Sequence, residues 1–345
     1  MRCLTLATAI RERGGTVSFV CRQLSGHLCD FIARHGWKVL SLPAVDFDCG
    51  PADSGSYIAS LGALWSEDAA QTREIIESIE EFCDWLVVDH YALGGQWESA
   101  MRGSAKRIMV IDDLADRVHD CDVLLDQNVF TARHRRYGGL VPARARKLLG
   151  SRYALVRREF LLHRETSLAR RDGLLQRLLL SMGGADPNND TATALTGIAQ
   201  LATPGLAVDV VLGQANPWQD EIRALCRDIP GSELHIQTAH MAQLMTRADL
   251  AISAGGSTTW ERCVVGLPAI VAIQSDDQAP IAHAIQDIGG HQVLGWSRTL
   301  TARDYRHTID SITADELIRM STISARLCDG QGADRVASEL LNFGV

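Results

Sequence analysis

Nine cysteines contain no Cys-x-x-Cys pair, eleven histidines contain no His-x-x-x-His, and no stretch of eighteen apolar residues exists anywhere in the chain. Each absence excludes something. An odd number of unclustered cysteines argues against a disulfide framework or a structural zinc site and fits reduced thiols, most of them serving as small buried apolar groups. Without clustered ligands no metal and no cofactor is expected. The first twenty residues carry Arg2, Arg11, Glu12 and Arg13 around a short apolar stretch that has no cleavage site. With no membrane-length run behind it, the expectation is a cytoplasmic protein without a membrane partner. Positive charge is also scarce, with 34 Lys and Arg against 42 Asp and Glu and no dense basic block except around Arg133 to Lys147. Nucleic acid is therefore not an expected partner.

What is present describes a globular protein of 345 residues, 46% hydrophobic and 22% charged. That length exceeds what one core usually serves, so two domains of roughly 150 residues are expected. Nothing in the composition sets an oligomeric state.

Strand and helix signals alternate along the chain. Met1, Leu4, Ala7 and Ile10 have helical spacing and end at Gly14-Gly15. Strands are expected over Thr16 to Cys21, Lys38 to Leu42, Trp85 to Val88 and Arg107 to Ile111, with helices near Cys29 to His35, Asp68 to Phe82 and Gln96 to Arg102. After a polar, Arg-rich stretch around His163 to Asp172 a second series begins. Its strands are Arg177 to Met182, Ala207 to Leu212, Glu233 to Gln237, Leu250 to Ser253 and Ala269 to Ile273. Helices alternate with them, and a terminal helix is read over Ala314 to Asp329. This alternation predicts parallel sheets with crossover helices: an α/β chain of two Rossmann-like domains facing a cleft, residues 1–160 and 161–345. One element is missing from the pattern. A doubly wound sheet opens with a central strand, yet this chain opens with a helix, so Met1 is expected to be an internal methionine of a longer ancestral sequence.

Several constellations can carry chemistry. Ser253-Ala254-Gly255-Gly256-Ser257-Thr258-Thr259-Trp260-Glu261 is a buried strand opening through two glycines onto a helix. Glycine lets backbone approach an anion, and first-turn amides and the helix dipole favour phosphate there. Ser257 or Thr258 can cap the helix or bond a phosphate oxygen, and Glu261 can accept both hydroxyls of a ribose; a capping arrangement without ligand is the plainer alternative. Ser181-Met182-Gly183-Gly184-Ala185-Asp186-Pro187-Asn188 repeats the strand-to-glycine pattern on the first strand of the second domain, where a crevice should open. Gly213 to Pro217 is a similar turn. In the first half, Asp89-His90-Tyr91 ends a strand and can face the cleft. Asp112-Asp113 resembles a metal-binding pair but reads more simply as capping or solvated acids.

Taken together these motifs resemble the UDP-2,4-diacetamido-2,4,6-trideoxy-β-L-altropyranose hydrolases of pseudaminic acid biosynthesis, and more distantly the lipid-linked N-acetylglucosamine transferase of peptidoglycan assembly. The resemblance is carried by Arg2-Cys3-Leu4 with Leu6-Ala7, Val88 to Tyr91, Ile111 to Asp113 with Leu125 to Asn128, Tyr153 to Phe160, Ser181 to Asp186, and Gly255 to Glu261. It implies a glycosyltransferase B-type fold and a small-molecule UDP-sugar substrate. It also implies metal-independent, inverting hydrolysis at the anomeric carbon, with UDP released. On this resemblance Gly255, Gly256, Ser257 and Thr258, with Gly183 and Gly184, hold the phosphates and Glu261 the ribose. Tyr91 lies beside sugar and water, with Asp89 and His90 in the catalytic cluster. Gln278 contacts the sugar, and Arg157 sits at the domain junction. The family's general-base histidine precedes Arg-Cys-Leu and is not in this chain, so His90 is the local substitute to test. An inverting UDP-sugar glycosyltransferase and a catalytically impaired nucleotide-sugar-binding protein remain the alternatives.

Overall fold

The computed structural model describes residues 1–45, 57–79, 82–130, 135–184, 186–201 and 205–343. Ala185 of the second glycine turn, and much of the Pro- and Gly-containing loop after Leu42, lie outside the described residues.

Among the described residues there are twelve strands, most of them runs of β-branched and aliphatic residues bounded by turns, and every one pairs in parallel. The chain divides into two units. The first takes in Met1–Asn128, most of the chain from there to Leu155, and the last segment from Ala333; the second takes Val129 and Phe130 and runs over Val156–Gly332. A boundary at 160/161 was expected, and the return of the last helix to the first unit was not. That helix, Gly332–Leu341, places Val336, Ala337 and Leu340 in the first unit's core, and the Leu340 carbonyl accepts the Trp85 indole N–H at 3.0 Å.

In the first unit β1 (Ser18–Arg22) pairs with β2 (Lys38–Leu42), and separately β3 (Trp85–Val88), β4 (Arg107–Ile111), β5 (Val123–Asp126) and β6 (Arg146–Leu149) form a four-stranded sheet in that order. Strands β4 and β5 are buried almost throughout, as parallel strands covered on both faces must be. The core is split by the sheet. Trp97, Met101, Ile108, Val110 and Leu124 pack on one face; Leu6, Met109, Ile111, Val123 and Leu125 pack on the other.

The second unit holds one six-stranded sheet. Its strands are β7 (Arg177–Ser181), β8 (Ala207–Leu212), β9 (Ser232–Ile236), β10 (Leu250–Ala254), β11 (Ala269–Ile273) and β12 (Gln292–Trp296), in the spatial order β12-β11-β10-β7-β8-β9. The chain leaves β7 in one direction for β8 and later returns to lay β10 on its other side. That reversal, between the carboxyl ends of β7 and β10, is where a doubly wound sheet opens a crevice.

Beside it, the glycine turns that follow β7 and β8 meet. The Gly213 amide donates to the Gly184 carbonyl at 3.2 Å, and a Cβ on Gly213 would stand 2.4 Å from that oxygen. Because the obstacle is backbone, Gly213→Ala is expected to cost about 1–3 kcal/mol through forced displacement of the turn. A denaturant melt would show the loss, and an unchanged midpoint would mean that the two turns separate freely.

Candidate active site

Both glycine turns sit at the sheet reversal of the second unit. Ser253 of β10 pairs with Ser181 of β7, so the chain leaves both strands at one level. Past Ala254, the Gly255 amide donates to Gln278 Oε1 at 3.2 Å, and the Gln274 amide donates to the same oxygen at 3.2 Å. Gln278 therefore ties the turn after β10 to the turn after β11. Gln274 in turn donates from Nε2 to Asp190 at 2.8 Å, reaching the helix that follows β7. The three turns form one platform.

The helix Thr258–Val264 begins on that platform with Ser257 in the cap position. No side chain caps it, and the Ser257 and Thr258 amides have no backbone partner among the described residues. A Cβ on Gly256 would meet nothing within 4 Å, so this peptide stands in open space. Free first-turn amides beside an uncovered backbone make an anion-receptive surface. The turn after β7 is different. Asp186 accepts the Asp190 and Thr191 amides at 2.9 and 3.0 Å, so those donors are already engaged. Gly183, at φ +97°, provides the left-handed bend between β7 and that cap.

Glu261 lies one turn into the helix. Its Oε1 accepts from Arg157 Nε at 3.0 Å, while Arg157 also pairs with Glu159 at 2.6 Å and lies 4.9 Å from the Phe160 ring centre. Burial pushes the Glu261 carboxyl above its usual range, and Arg157 opposes that shift.

In the first unit Asp89 follows β3 and is claimed by Arg2. The guanidinium approaches it to 2.6 Å, and the Cys3 thiol stands 2.9 Å from its other oxygen. Burial works to raise the Asp89 pKa, but the Arg2 contacts outweigh it and hold the carboxylate ionised. Arg2 also meets Asp113 at 3.1 Å, which accounts for one of the two adjacent acids. His90 Nδ1 accepts the Ala92 amide at 3.1 Å, and burial lowers its pKa. The ring is thus held neutral with Nε2 protonated, a poor arrangement for taking a proton from water. Tyr91 stacks at a tilt against Tyr57, ring centres 4.7 Å apart.

No family model matches the chain. Over 189 residues it is 29% identical to the spore coat polysaccharide biosynthesis protein SpsG of Bacillus subtilis, a match covering 52% of this chain and 55% of that one. The chain thus aligns with about half the length of that relative. Over 216 residues it is 26% identical to the UDP-2,4-diacetamido-2,4,6-trideoxy-β-L-altropyranose hydrolase of Campylobacter jejuni, covering 62% and 75% of the two chains. Among solved structures, MurG of Acinetobacter baumannii superposes with a TM-score of 0.68 at 15% identity, covering 99% of this chain and 95% of MurG. The chain is a relative of that hydrolase, in a glycosyltransferase B-type fold.

Within this glycosyltransferase B-type frame, sequence reasoning missed the group that organises the first unit. Buried His119 shares Nδ1 with Glu98 at 2.7 Å and turns Nε2 towards Asp112 at 3.8 Å. Asp112 takes Arg117 at 2.9 Å, and the Tyr137 hydroxyl lies 3.0 Å from Asp112 Oδ2 and 3.1 Å from Asp126 Oδ2. Asp112 is a buried counter-ion in this network, not the solvated acid that the simpler reading of the Asp112-Asp113 pair allowed. One hydroxyl proton cannot serve two carboxylates. Burial lifts Asp126 to about 7, so a protonated Asp126 can donate to Tyr137 while Tyr137 donates to Asp112. No spacing motif links Glu98, Asp112, His119, Asp126 and Tyr137; the helix Gly95–Met101, the ends of β4 and β5 and the connecting loops bring them together.

The same network sets a pH dependence. For His119, burial works to lower the pKa, but Asp112 and Glu98 overcome it and raise the group from 6.5 to about 9. A raised folded-state pKa gives stability that is complete below 6.5 and disappears as pH climbs towards 9. Asp126, lifted from 3.8 to about 7, acts in the same direction over a lower window. Asp112 is held below its ordinary value and acts oppositely, losing stability only as pH falls below 3.8. The first unit is therefore expected to be most stable near pH 4, to lose stability towards pH 7 as Asp126 ionises, and to lose roughly 2–3 kcal/mol more by pH 9 as His119 deprotonates. Thermal melts across that range provide the check; stability that rises from pH 6.5 to 9 would show that His119 is not protonated in the folded protein.

Proposed function

We propose that this protein hydrolyses a UDP-linked 2,4-diacetamido-2,4,6-trideoxyhexose at its anomeric carbon, releasing UDP and the free sugar. The observation that carries this reading is the uncapped helix start at Ser257 and Thr258 beside open Gly256, with Glu261 one turn further on, at the sheet reversal of the second unit. The relationship to the Campylobacter hydrolase supports the choice of sugar and of water as acceptor.

In this reading the amides of Ser257 and Thr258 receive the diphosphate and stabilise the charge that builds on it as the C1–O bond breaks. Gly255 and Gly256 leave the backbone accessible, and Gly183 and Gly184 line the neighbouring turn. The Glu261 carboxylate accepts ribose hydroxyls, with Arg157 keeping it ionised against burial. Gln278 shapes the platform through Gly255 and Gln274 and presents its amide nitrogen to the sugar. Tyr91 keeps the sugar-contact role that the resemblance implies for it. Asp89 serves by holding Arg2, and His90, neutral and with Nδ1 engaged, is the weakest member of its cluster as a base. The attacking water, as it adds to C1, gives its proton to a general base and the diphosphate leaves from the opposite face.

Incubation with the trideoxy UDP-sugar, with no acceptor alcohol, is expected to yield UDP and free sugar in equal amounts by NMR. Release that appears only after an acceptor is added would select glycosyl transfer instead. Calorimetry with saturating UDP should show binding whatever the turnover, and no heat would remove the reading altogether.

A further inference from the structure

Among the described residues Arg262 is the only buried arginine, 2% exposed. Its guanidinium donates from Nη2 to Thr259 Oγ1 at 3.1 Å, and its Nε has no partner. No carboxylate pairs with it among the described residues, and the adjacent Glu261 is turned to Arg157. His291 stands close enough to feel the charge. Burial, and after it Arg262, pushes the His291 pKa down to about 3, and its Nε2 donates to the Ala282 carbonyl at 2.8 Å. A neutral imidazole with one nitrogen already bonded does not offset a cation.

Two other arginines of the second unit show how a guanidinium is satisfied when its role is to close the fold. Arg164 donates to the carbonyls of Val264, Ala325 and Cys328, and Arg171 to those of Met245, Ala248 and Val265. Both bind helix ends whose carbonyls lack partners within their own helices. Arg262 binds none. A buried charge left in that state is costly unless a group of opposite sign completes it.

The placement of Arg262 says where that group would stand. Its Cα is four residues past Thr258, about 6 Å along the helix axis, and helical side chains lean towards the amino end. The bond to Thr259 confirms that the guanidinium reaches back to the first turn. There the Ser257 and Thr258 amides have no backbone partner and Gly256 faces open space. Free donors on the outside of the turn and an unpaired cation beneath it lack the same thing, an anion.

We propose that Arg262 is a positioning residue for the diphosphate: the bound pyrophosphate is the counter-ion that this guanidinium lacks, and its bond to Thr259 holds the first turn in the receiving geometry. The inference rests on the reading that Ser257 and Thr258 receive the diphosphate. When the C1–O bond breaks, its electron pair stays on the terminal phosphate, so UDP carries one more negative charge than the bound UDP-sugar. A fixed cation beneath the turn therefore holds the leaving group more strongly than the substrate.

The test titrates uridine, UMP and UDP into the parent, Arg262→Met, Arg262→Gln and Arg262→Lys, by calorimetry for the nucleotides and by NMR for uridine. Both neutral variants are expected to bind uridine within about twofold of the parent and UDP at least about 10-fold more weakly, with UMP between, because the lost attraction scales with ligand charge. Arg262→Lys should recover most of the UDP affinity. Equal weakening of uridine and UDP, or no weakening of UDP, overturns the proposal and shows a residue that only packs. Should the neutral variants fail to fold, the parent labelled with 15N-arginine still decides: the buried Nε–H signal, absent in Arg262→Lys, should move on adding UDP and stay in place with uridine. A signal that ignores UDP also overturns the proposal. A parent that does not bind UDP at all instead removes the reading of the diphosphate site.

Discussion

Replacing Glu98 by alanine is expected to destabilise the first unit by about 3–5 kcal/mol, the largest effect of any single substitution considered for it. Glu98 is fully buried, accepts the Asp120 amide at 2.5 Å and shares His119 Nδ1 at 2.7 Å. Its removal leaves a buried imidazolium beside only Asp112 and orphans a backbone donor. The cost is mostly that of the unpaired groups, because a neutral pair of similar volume would not incur it. Two comparisons make the prediction specific. Glu98→Gln keeps the acceptor for Asp120 and should lose less, while Glu98→Leu with His119→Leu should recover much of the loss. The first unit's transition should fall and the second unit's stay in place, since all of these residues belong to the first. A Glu98→Ala protein that melts like the parent would show that the His119 network contributes nothing.

The second large effect concerns ligand affinity. Glu261→Ala is expected to weaken UDP binding by about 100-fold. Two hydrogen bonds from ribose hydroxyls to a carboxylate contribute about 1.5 kcal/mol each at the low end, and about 3 kcal/mol corresponds to that factor. The parent should discriminate against 2′-deoxy-UDP, and the variant should not. Arg157→Ala gives an independent comparison. Without the guanidinium 3.0 Å away, burial pushes Glu261 further towards its neutral form, so UDP affinity should become weaker at mildly acid pH and recover on raising it. Calorimetry on the three proteins decides the matter. Equal affinity in parent and Glu261→Ala, with both folded, would mean that ribose is held elsewhere.

Much of the architecture was legible in the sequence because strand patterning is local. Lys38–Leu42, Trp85–Val88, Arg107–Ile111, Ala207–Leu212 and Ala269–Ile273 are strands with the bounds that the apolar runs and flanking turns predict. Other elements escaped for identifiable reasons. Arg146–Leu149 opens with Arg and Lys and has only two apolar residues, so nothing in it reads as a strand until β5 lies beside it. The polar, Arg-rich stretch around His163 to Asp172, which separates the two series in sequence, lies largely in the helix Arg158–Ala169. There Arg164 donates to the carbonyls of Val264, Ala325 and Cys328, satisfying helix ends far along the chain. The helices Ala302–Ser311 and Gly332–Leu341 were also not anticipated.

The candidate site divides in the same way. Gly183, Gly184, Gly255, Gly256, Ser257 and Thr258 were legible because a strand, a glycine pair and a helix start are contiguous in sequence. Gln274 and Asp190 were not, since their bond links turns 84 residues apart. The claim of Arg2 on Asp89 spans 87 residues and is equally invisible to spacing. By itself, then, the sequence determined most of the strands, where glycine opens the chain, and that the protein is an α/β chain of two Rossmann-like units, because hydrophobic period and backbone freedom are properties of neighbouring residues. Only the tertiary structure decided which charges are paired and that the last helix closes the first unit. Those outcomes depend on which strands become neighbours, and pairing across a sheet is fixed by the packing of the whole unit.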